Sequence, residues 1–157
     1  MIEEIYTYFT IEMIFMWLNL GVLPFWFVLI VFPQSQICRV FITSIFPIFI
    51  LSLAYSYLLY LFFNEDYDFI RNFELYLGLD AVSNLFADKA FIILFWLHFL
   101  AMNLFCGGWI VKDSQKFGIN KVLLSFPILI TYFIGPIGLT LYWIIRIFYA
   151  KRVSLYD

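Results

Sequence analysis

Long apolar runs, separated by short polar interruptions, dominate the pattern along this 157-residue chain. A helix that crosses a bilayer needs about 20 mostly apolar residues, because the hydrocarbon core is about 30 Å thick and each residue rises about 1.5 Å. Four runs meet this requirement, at approximately residues 9–32, 40–63, 90–111 and 122–149. Barrel strands would alternate polar and apolar residues instead. The pattern therefore predicts an all-α polytopic membrane protein, a single domain over residues 1–157 built as a four-transmembrane-helix bundle.

The polar connection between the second and third runs has a pattern of its own. Phe69, Phe73, Tyr76 and Leu77 recur there at helical spacing, which is typical of a short amphipathic helix lying at the membrane interface. We therefore predict a short interfacial helix between spans two and three.

Composition supports a membrane protein and decides little about its orientation. Of all residues, 65% are apolar and 13% are charged, whereas soluble domains have about 45–50% and about 25%. Four spans place both termini on one side, and the basic residues then divide five to four between the sides, which is no positive-inside signal. The basic cluster Lys151-Arg152 favours cytoplasmic termini, in a bacterial inner (plasma) membrane. Glu3 and Glu4 stand where a cleavable signal peptide has basic residues, so the first run is interpreted as a retained span.

Several classes of function have no support in the sequence. The net charge is −2, and no basic cluster resembles a nucleic-acid-binding surface, so no nucleic-acid partner is predicted. One histidine and two distant cysteines, Cys38 and Cys106, make no metal-ligand spacing, and neither a glycine-rich phosphate loop nor a nucleophile elbow is present. We therefore predict no metal and no cofactor.

Polar residues inside the apolar runs are the candidates for a functional site, because a bilayer makes their burial costly. Glu12 and Asn19 lie on nearly one face of span one, and His98 and Asn103 lie in span three. All except Glu12 fall near the middle of their spans. Glu12 and Arg146 fall at the same predicted depth, where a pair between them would close one end of a cavity.

Span four carries a Gly-Pro-Ile-Gly run near its middle, at residues 135–138. Pro136 has no N–H and crowds the carbonyl of Tyr132, so we expect a bend that leaves this carbonyl without its helical partner. We expect His98 to face the interior beside this bend or beside Asn19. An unpartnered buried donor or acceptor of the imidazole costs about 1–3 kcal/mol.

Each candidate also has a purely structural interpretation. Asn19 and Asn103 suit interhelical hydrogen bonds worth about 1 kcal/mol each. Glu12 can extend its carboxylate to the interface, and His98 can pack among aromatic side chains. These alternatives stay open at the level of the sequence.

Three stretches of the chain match the pattern of a known family. Residues 96–113 read WLHFLAMNLFCGGWIVKD, residues 19–26 read NLGVLPFW before Pro33, and residues 135–142 read GPIGLTLY after Phe126-Pro127. They resemble the third, first and fourth spans of the abscisic-acid-deficient-4-like family, also described as neoxanthin-synthase-like. The similarity extends over nearly the whole chain and is weakest between residues 64 and 87.

The resemblance implies isoprenoid chemistry. Plant members are associated with neoxanthin synthesis from violaxanthin, and rearranging an epoxide to an allene needs proton transfer but no redox cofactor. His98 is then the predicted acid–base residue and Glu12 a second catalytic carboxylate. The predicted substrate-binding residues are Asn19, Asn103, Trp96, Trp109, Pro136 and Tyr142. The leading hypothesis is a cofactor-independent isomerase of a carotenoid or isoprenoid-type membrane lipid.

Two other classes of function are kept beside the enzyme. A non-catalytic pigment- or lipid-binding accessory subunit of a membrane complex is expected to show an external apolar groove, whereas the enzyme is expected to show an internal cavity lined by His98. A small transporter of four spans needs to oligomerise. A carotenoid-like ligand, and either a homo-oligomer or a membrane-complex partner, are the expected partners.

Overall fold

The computed structural model describes residues 10–151 and 153–154, and their regular structure is helical throughout. The α-helices are α1 (Ile11–Val31), α2 (Phe46–Asn64), α3 (Leu79–Leu85), α4 (Lys89–Lys116), α5 (Lys121–Phe133) and α6 (Gly135–Ala150). A π-helical turn (Cys38–Ile42) precedes α2, and a 3₁₀ helix (Phe69–Tyr76) precedes α3. The all-α prediction is confirmed. The predicted start of span one at Phe9 and both chain termini lie outside the described residues.

Three helices, α1, α2 and α4, are long and apolar enough to cross a membrane. They correspond to the first three predicted spans. Helix α2 begins at Phe46 rather than near residue 40, because the π-helical turn and the bends after it occupy the start of that apolar run. Helix α4 begins after Asp88, whose carboxylate accepts hydrogen bonds from the N–H groups of Ala90 and Phe91.

The predicted interfacial segment between α2 and α4 is present as the 3₁₀ helix followed by α3. Asp68 begins the 3₁₀ helix by accepting a hydrogen bond from the N–H of Ile70 at 3.0 Å. The apolar side chains of the segment are largely exposed, among them Phe73 and Tyr76. Exposed aromatic side chains on a short helix suit the boundary between headgroups and acyl chains.

Contacts along the chain form two compact units, which we call the first unit (residues 1–20 and 50–100) and the second unit (residues 21–49 and 101–157). Helices α1, α2 and α4 each contribute residues to both. The first unit buries Leu58 and Leu97, and the second buries Leu29, Ile110 and Ile128.

The predicted fourth span is replaced by two short helices that reverse direction. Helices α5 and α6 have 13 and 16 residues, and Ile134 between them has φ −140° and ψ 82°, which breaks the helix. Gly138 lies directly against the backbone of Thr131, so that a Cβ added there would overlap it. Residues seven apart in one continuous helix are about 10.5 Å apart along its axis. Helices α5 and α6 therefore form a hairpin.

Contacts with α4 show how the hairpin runs within the second unit. Asn103, near the middle of α4, contacts Tyr132 and Gly135 at the hairpin tip. Asp113, near the end of α4, bonds to Arg146 of α6. Helix α6 therefore runs parallel to this half of α4 and ends beside the C-terminal part of α4, while α5 runs the opposite way.

The hairpin leaves the fourth crossing unconfirmed. Neither α5 nor α6 reaches the length of about 20 residues that a crossing helix needs, and their reversal returns the chain to the end of α4 from which it came. The prediction that both termini lie on one side depended on four crossings, so it loses its basis.

Candidate functional site

An apolar groove in the second unit is the candidate binding site. Its volume is about 510 Å³, within the range of about 300–1,000 Å³ that small-molecule sites occupy. The segment leading into α2 forms one wall, and one face of α4 forms the other. The lining residues are Ile42, Thr43, Ser44, Ile45, Ile48, Leu104, Phe105, Gly108, Trp109 and Lys112.

Helical spacing and one glycine give the groove its shape. The lining residues of α4 recur at intervals of three or four, which places them on one face of the helix. Gly108 lets the opposite wall approach: a Cβ there would lie 3.9 Å from the carbonyl oxygen of Ile42 and 4.0 Å from the Cα of Thr43. The Thr43 hydroxyl donates to the Arg39 carbonyl at 3.1 Å, which fixes this wall to the π-helical turn.

Two side chains give the groove hydrogen-bond donors. Lys112, which is exposed, and Trp109, which is half-buried, both line it, and neither the ammonium group nor the indole N–H has a hydrogen-bond partner within the described part of the chain. The indole ring meets the ring of Tyr142 edge-on, with 5.8 Å between centroids. Trp109, predicted to bind substrate, thus connects the groove to the hairpin.

A buried polar cluster holds the hairpin against α4. Asp113, Tyr142 and Arg146 are 4%, 0% and 2% exposed. The Asp113 carboxylate accepts a hydrogen bond from the Tyr142 hydroxyl at 2.7 Å and one from Arg146 Nε at 2.6 Å. The Arg146 guanidinium also lies 4.9 Å from the ring centroid of Phe117. Because charge and hydrogen bonds are matched inside the cluster, its geometry suits positioning α6 rather than binding a ligand.

The predicted Glu12–Arg146 pair is wrong. Arg146 bonds to Asp113, and Glu12 instead pairs with Lys89, with 2.8 Å between Oε1 and Nζ. The reason is the hairpin, which turns Arg146 back to the C-terminal part of α4. Glu12 and Lys89 are both exposed, which agrees with the structural interpretation of Glu12, while its catalytic role stays a prediction.

Asn19 and Trp96 are brought together in the first unit. The Trp96 indole N–H donates to Asn19 Oδ1 at 3.1 Å, and the Asn19 amide donates to the Phe15 carbonyl at 2.7 Å. The Trp96 ring stacks on Phe99, with 5.2 Å between centroids. This geometry matches the interpretation of Asn19 as an interhelical hydrogen-bonding residue, and the substrate-binding roles of both residues stay predictions.

Asn103 lies at the hairpin tip. Its amide donates a long hydrogen bond, 3.5 Å, to the carbonyl of Tyr132. Pro136 has no N–H to give that carbonyl, as predicted, but the helix ends before it and the chain reverses into a hairpin instead of bending within one span. Non-helical backbone at membrane depth needs such a partner from the protein. Pro136 itself is exposed, whereas Gly135 is buried against Asn103.

His98 lies on the exposed face of α4, so the prediction that it faces the interior is wrong. The neighbouring Leu97 belongs to the buried stripe of α4, and one further residue turns the helix by about 100°. His98 therefore shares its face with exposed Met102 and Phe105. Its imidazole has no hydrogen-bond partner among residues 10–151 and 153–154. Its acid–base role stays a prediction.

Neither cysteine is a candidate nucleophile at neutral pH on this geometry. Cys38 is buried and Cys106 half-buried, and neither forms a disulfide. Burial raises the pKa of the Cys38 thiol to about 11, so it stays protonated. Across the described residues, no three His, Cys, Asp or Glu side chains form a group that could hold a metal ion.

Sequence reasoning missed Lys112 as a groove residue and Asp113 as the partner of Arg146. A signal for the pair existed, because Asp113 ends an apolar run and Arg146 interrupts another. Lys112 gave no such signal, since a lysine at the end of a membrane helix is ordinary. Only the approach of the Ile42–Ile48 segment to α4 makes it part of a site.

Comparisons with known proteins agree with the resemblance seen in the sequence. The chain is 23% identical over 129 residues to "Protein ABA DEFICIENT 4, chloroplastic" from Arabidopsis thaliana. The aligned part is 80% of this chain but 57% of that protein, so the chain spans little more than half of its relative. The relative's name places that protein in the chloroplast, and so gives no support to a bacterial plasma membrane. No solved structure matches the chain.

The family comparison covers the candidate site. A family model described as ABA DEFICIENT 4-like matches residues 13–142. This range contains the groove, the hairpin tip and two members of the buried cluster, Asp113 and Tyr142. Because the match extends over most of the chain, this membrane protein belongs to the ABA DEFICIENT 4-like family.

Proposed function

We propose that this chain binds a carotenoid- or isoprenoid-type lipid in the groove between the Ile42–Ile48 segment and α4. The observation that carries the proposal is the groove, an apolar cleft of about 510 Å³ on a helix apolar enough to cross a membrane. Membership of the ABA DEFICIENT 4-like family suggests the ligand class. An external apolar groove is the feature that separates a binding protein from an enzyme with a closed cavity.

The chemistry of the groove favours a lipid over a water-soluble ligand. Isoleucine and leucine side chains, together with the rings of Phe105 and Trp109, form most of its surface. Burying such surface against an apolar ligand is favourable by about 25 cal/mol per Å². Of the polar side chains in the lining, Ser44 and Thr43 direct their hydroxyl donors to backbone carbonyls of their own segment. Apart from Lys112, the lining therefore suits the long hydrocarbon chain of an isoprenoid.

An isomerase acting on the same lipid class is the second candidate. It is favoured by His98, an exposed imidazole on a membrane-crossing helix without a hydrogen-bond partner among the described residues. An imidazole can both accept and donate a proton, so it suits a proton-transfer step. A substrate dissolved in the bilayer reaches this outward face directly. In this candidate Glu12 keeps its proposed role as a second carboxylate.

Extraction of the protein in mild detergent, with identification of co-purified pigments and lipids, tests the binding function. Gly108→Leu places a side chain in the groove, and we expect it to lose the isoprenoid that the unmodified protein retains. Gly21→Leu is the matched control, because nothing lies within 4 Å of a Cβ at Gly21. Equal recovery from both variants, or no isoprenoid with the unmodified protein, would contradict the proposal.

The isomerase is tested with the lipid that the extraction identifies. An isomerisation changes the retention time of the product without changing its mass. We expect His98→Ala and His98→Gln to abolish turnover while both proteins stay folded in the membrane. Full activity of His98→Gln would show that the imidazole transfers no proton in the reaction, and would leave lipid binding as the function.

The cellular membrane and the assembly state are also proposals. We propose that the chain resides in the plasma membrane of a bacterium, and that it forms a homo-oligomer or joins a membrane complex. Fractionation of the source cell and mass photometry of the detergent-extracted protein test these two statements separately.

A further inference from the structure

We infer that the groove takes an isoprenoid whose end group is an anion, a phosphate monoester, held by the ammonium group of Lys112. The inference rests on the proposed function, because it concerns the same groove and adds the chemistry of one end of its ligand. Three independent features of the second unit carry it: unpartnered donors, the sign of the surrounding charge, and the polarity gradient along the groove.

The groove lining contains two unpartnered hydrogen-bond donors and no carboxylate that could accept from them. The Lys112 ammonium and the Trp109 indole N–H, three residues apart on one face of α4, have no hydrogen-bond partner among the described residues. The hydroxyl of Ser44 both donates to the Phe41 carbonyl and accepts from the Phe46 N–H. A ligand with acceptor oxygens therefore suits this end of the groove, where the ammonium group of Lys112 is exposed and a hydrogen bond to a charged group is stronger than one between neutral groups.

The charge around the groove favours an anion over a neutral acceptor. Within the described part of the second unit, Asp113 is the only carboxylate, and Arg146 and Tyr142 already occupy it. Arg39 and Lys121 add exposed positive charge to the same unit. An excess of charge of one sign attracts the opposite sign, and an ionised partner makes the hydrogen bond from ammonium shorter and stronger.

The groove is apolar at one end and charged at the other. Along α4 it extends from Leu104 to Lys112, about 12 Å at 1.5 Å per residue. Leu104 lies near the middle of α4, whereas Lys112 lies close to its end at Lys116. An amphiphile therefore fits with its hydrocarbon chain toward the middle of the helix and its phosphate at Lys112.

Two probes that share one C20 chain test the inference: geranylgeraniol and geranylgeranyl monophosphate. Equilibrium binding of each, tritium-labelled, is measured to the full chain in phosphatidylcholine nanodiscs. We expect the phosphate to bind at least tenfold more tightly, which corresponds to about 1.4 kcal/mol. Lys112→Gln is expected to remove this difference, so that the two probes bind it with the same affinity, and Lys112→Arg to keep it. Lys121→Gln, an exposed lysine outside the groove, is the matched control and is expected to keep the full preference.

The outcomes separate the inference from the proposed function. If geranylgeraniol fails to bind the unmodified protein, the groove is no isoprenoid site and both statements are overturned. If geranylgeraniol binds but geranylgeranyl monophosphate binds no more tightly, only the inference is overturned. The same holds if Lys112→Gln still binds the monophosphate more tightly. Displacement of the labelled phosphate by equimolar phosphatidylglycerol overturns it as well, because Lys112 would then recognise any anionic lipid headgroup.

Discussion

The two compact units are similarly apolar but opposite in charge. The first unit holds nine of the eleven acidic residues and two of the nine basic ones, a formal side-chain charge of −7. The second unit holds the other seven basic and two acidic residues, a charge of +5. A net charge of −2 therefore conceals a strong asymmetry, which appears only when each residue is assigned to its unit.

The units also use charge differently inside their structures. The Glu12–Lys89 pair of the first unit is exposed, whereas Asp113–Arg146 in the second is almost fully buried. Exposed pairs contribute little because water screens them, while a buried charge without its partner is strongly unfavourable. The buried Asp113–Arg146 pair thus positions α6 in the second unit, whereas the exposed Glu12–Lys89 pair of the first meets the solvent or the membrane surface.

The largest expected effect concerns the number of times the chain crosses the membrane between Asp66 and Lys151. Because α6 returns to the end of α4, Arg146 and Lys151 join the basic residues near Lys112, and the positive-inside rule now applies clearly. Fusions are made after Lys151 and at Asp66 in a bacterial host, with GFP and alkaline phosphatase as reporters. We expect the C-terminal fusion to report the cytoplasm and the Asp66 fusion the periplasm. Four crossings instead put both fusions on one side, and that result would refute the hairpin.

The next effect concerns the buried pair. Replacing Arg146 by Met leaves the Asp113 carboxylate buried without its counter-charge, and we expect the free energy of unfolding to fall by about 3–5 kcal/mol. Denaturant unfolding in detergent, followed by tryptophan fluorescence, measures it. The double variant Asp113→Leu/Arg146→Met is expected to recover most of the loss. Glu12→Gln is the control from the first unit, and a comparable loss there would remove the distinction between the units.

A smaller effect is expected at the hairpin contact. In Gly138→Ala the new Cβ meets the backbone of Thr131, which cannot move aside, so we expect a loss of about 1–3 kcal/mol from overpacking. Gly21→Ala has open space around it and is expected to hold or gain stability, since alanine favours a helix. Equal behaviour of the two variants in the same unfolding measurement would mean that α5 and α6 do not pack closely.

The smallest effect is a reaction rate. Burial raises the pKa of the Cys38 thiol to about 11, so at pH 8 roughly one molecule in a thousand carries the reactive thiolate. We expect Cys38 in a Cys106→Ala background to resist maleimide, with labelling that rises about tenfold from pH 8 to pH 9. Mass spectrometry follows the modification, and the protein unfolded in SDS serves as the fast control. Rapid labelling of the folded protein at pH 8 would show that the π-helical turn opens.

Hydropathy predicted the crossing helices well because it measures length in apolar residues. Helices α1 and α4 lie close to the predicted runs, and the interfacial segment follows from the spacing of Phe69, Phe73 and Tyr76. Hydropathy does not show whether the chain continues across the membrane or reverses direction. A kinked span and a hairpin over residues 121–150 have the same hydropathy, and the choice depends on the contact of Gly138 with Thr131 and on the Asp113–Arg146 bond.

The candidate site was harder to predict, because it also depends on contacts that hydropathy does not show. Residue type and family resemblance pointed to Trp109, and Pro136 indicated a bend where the structure has a hairpin. His98 was assigned to the interior on energetic grounds alone. A shift of one residue, about 100° around the helix, decides which face a side chain occupies, and Leu97 rather than His98 falls in the buried stripe. The groove needs the approach of the Ile42–Ile48 segment to α4, a long-range contact that local sequence does not encode.

The hairpin also sets the order in which the nascent chain completes its structure. Arg146 is synthesised 33 residues after Asp113, a delay of roughly 2–7 s at 5–20 residues per second. During that interval the Asp113 carboxylate in α4 has no counter-charge from Arg146. The Asn103 amide likewise has no bond until the Tyr132 carbonyl, which accepts from it, has been made. Helix α6, which is made after α4, thus carries the residue that completes the buried cluster. A ribosome that stalls before Arg146 leaves a membrane-inserted chain with an unmatched charge, which membrane quality control can recognise.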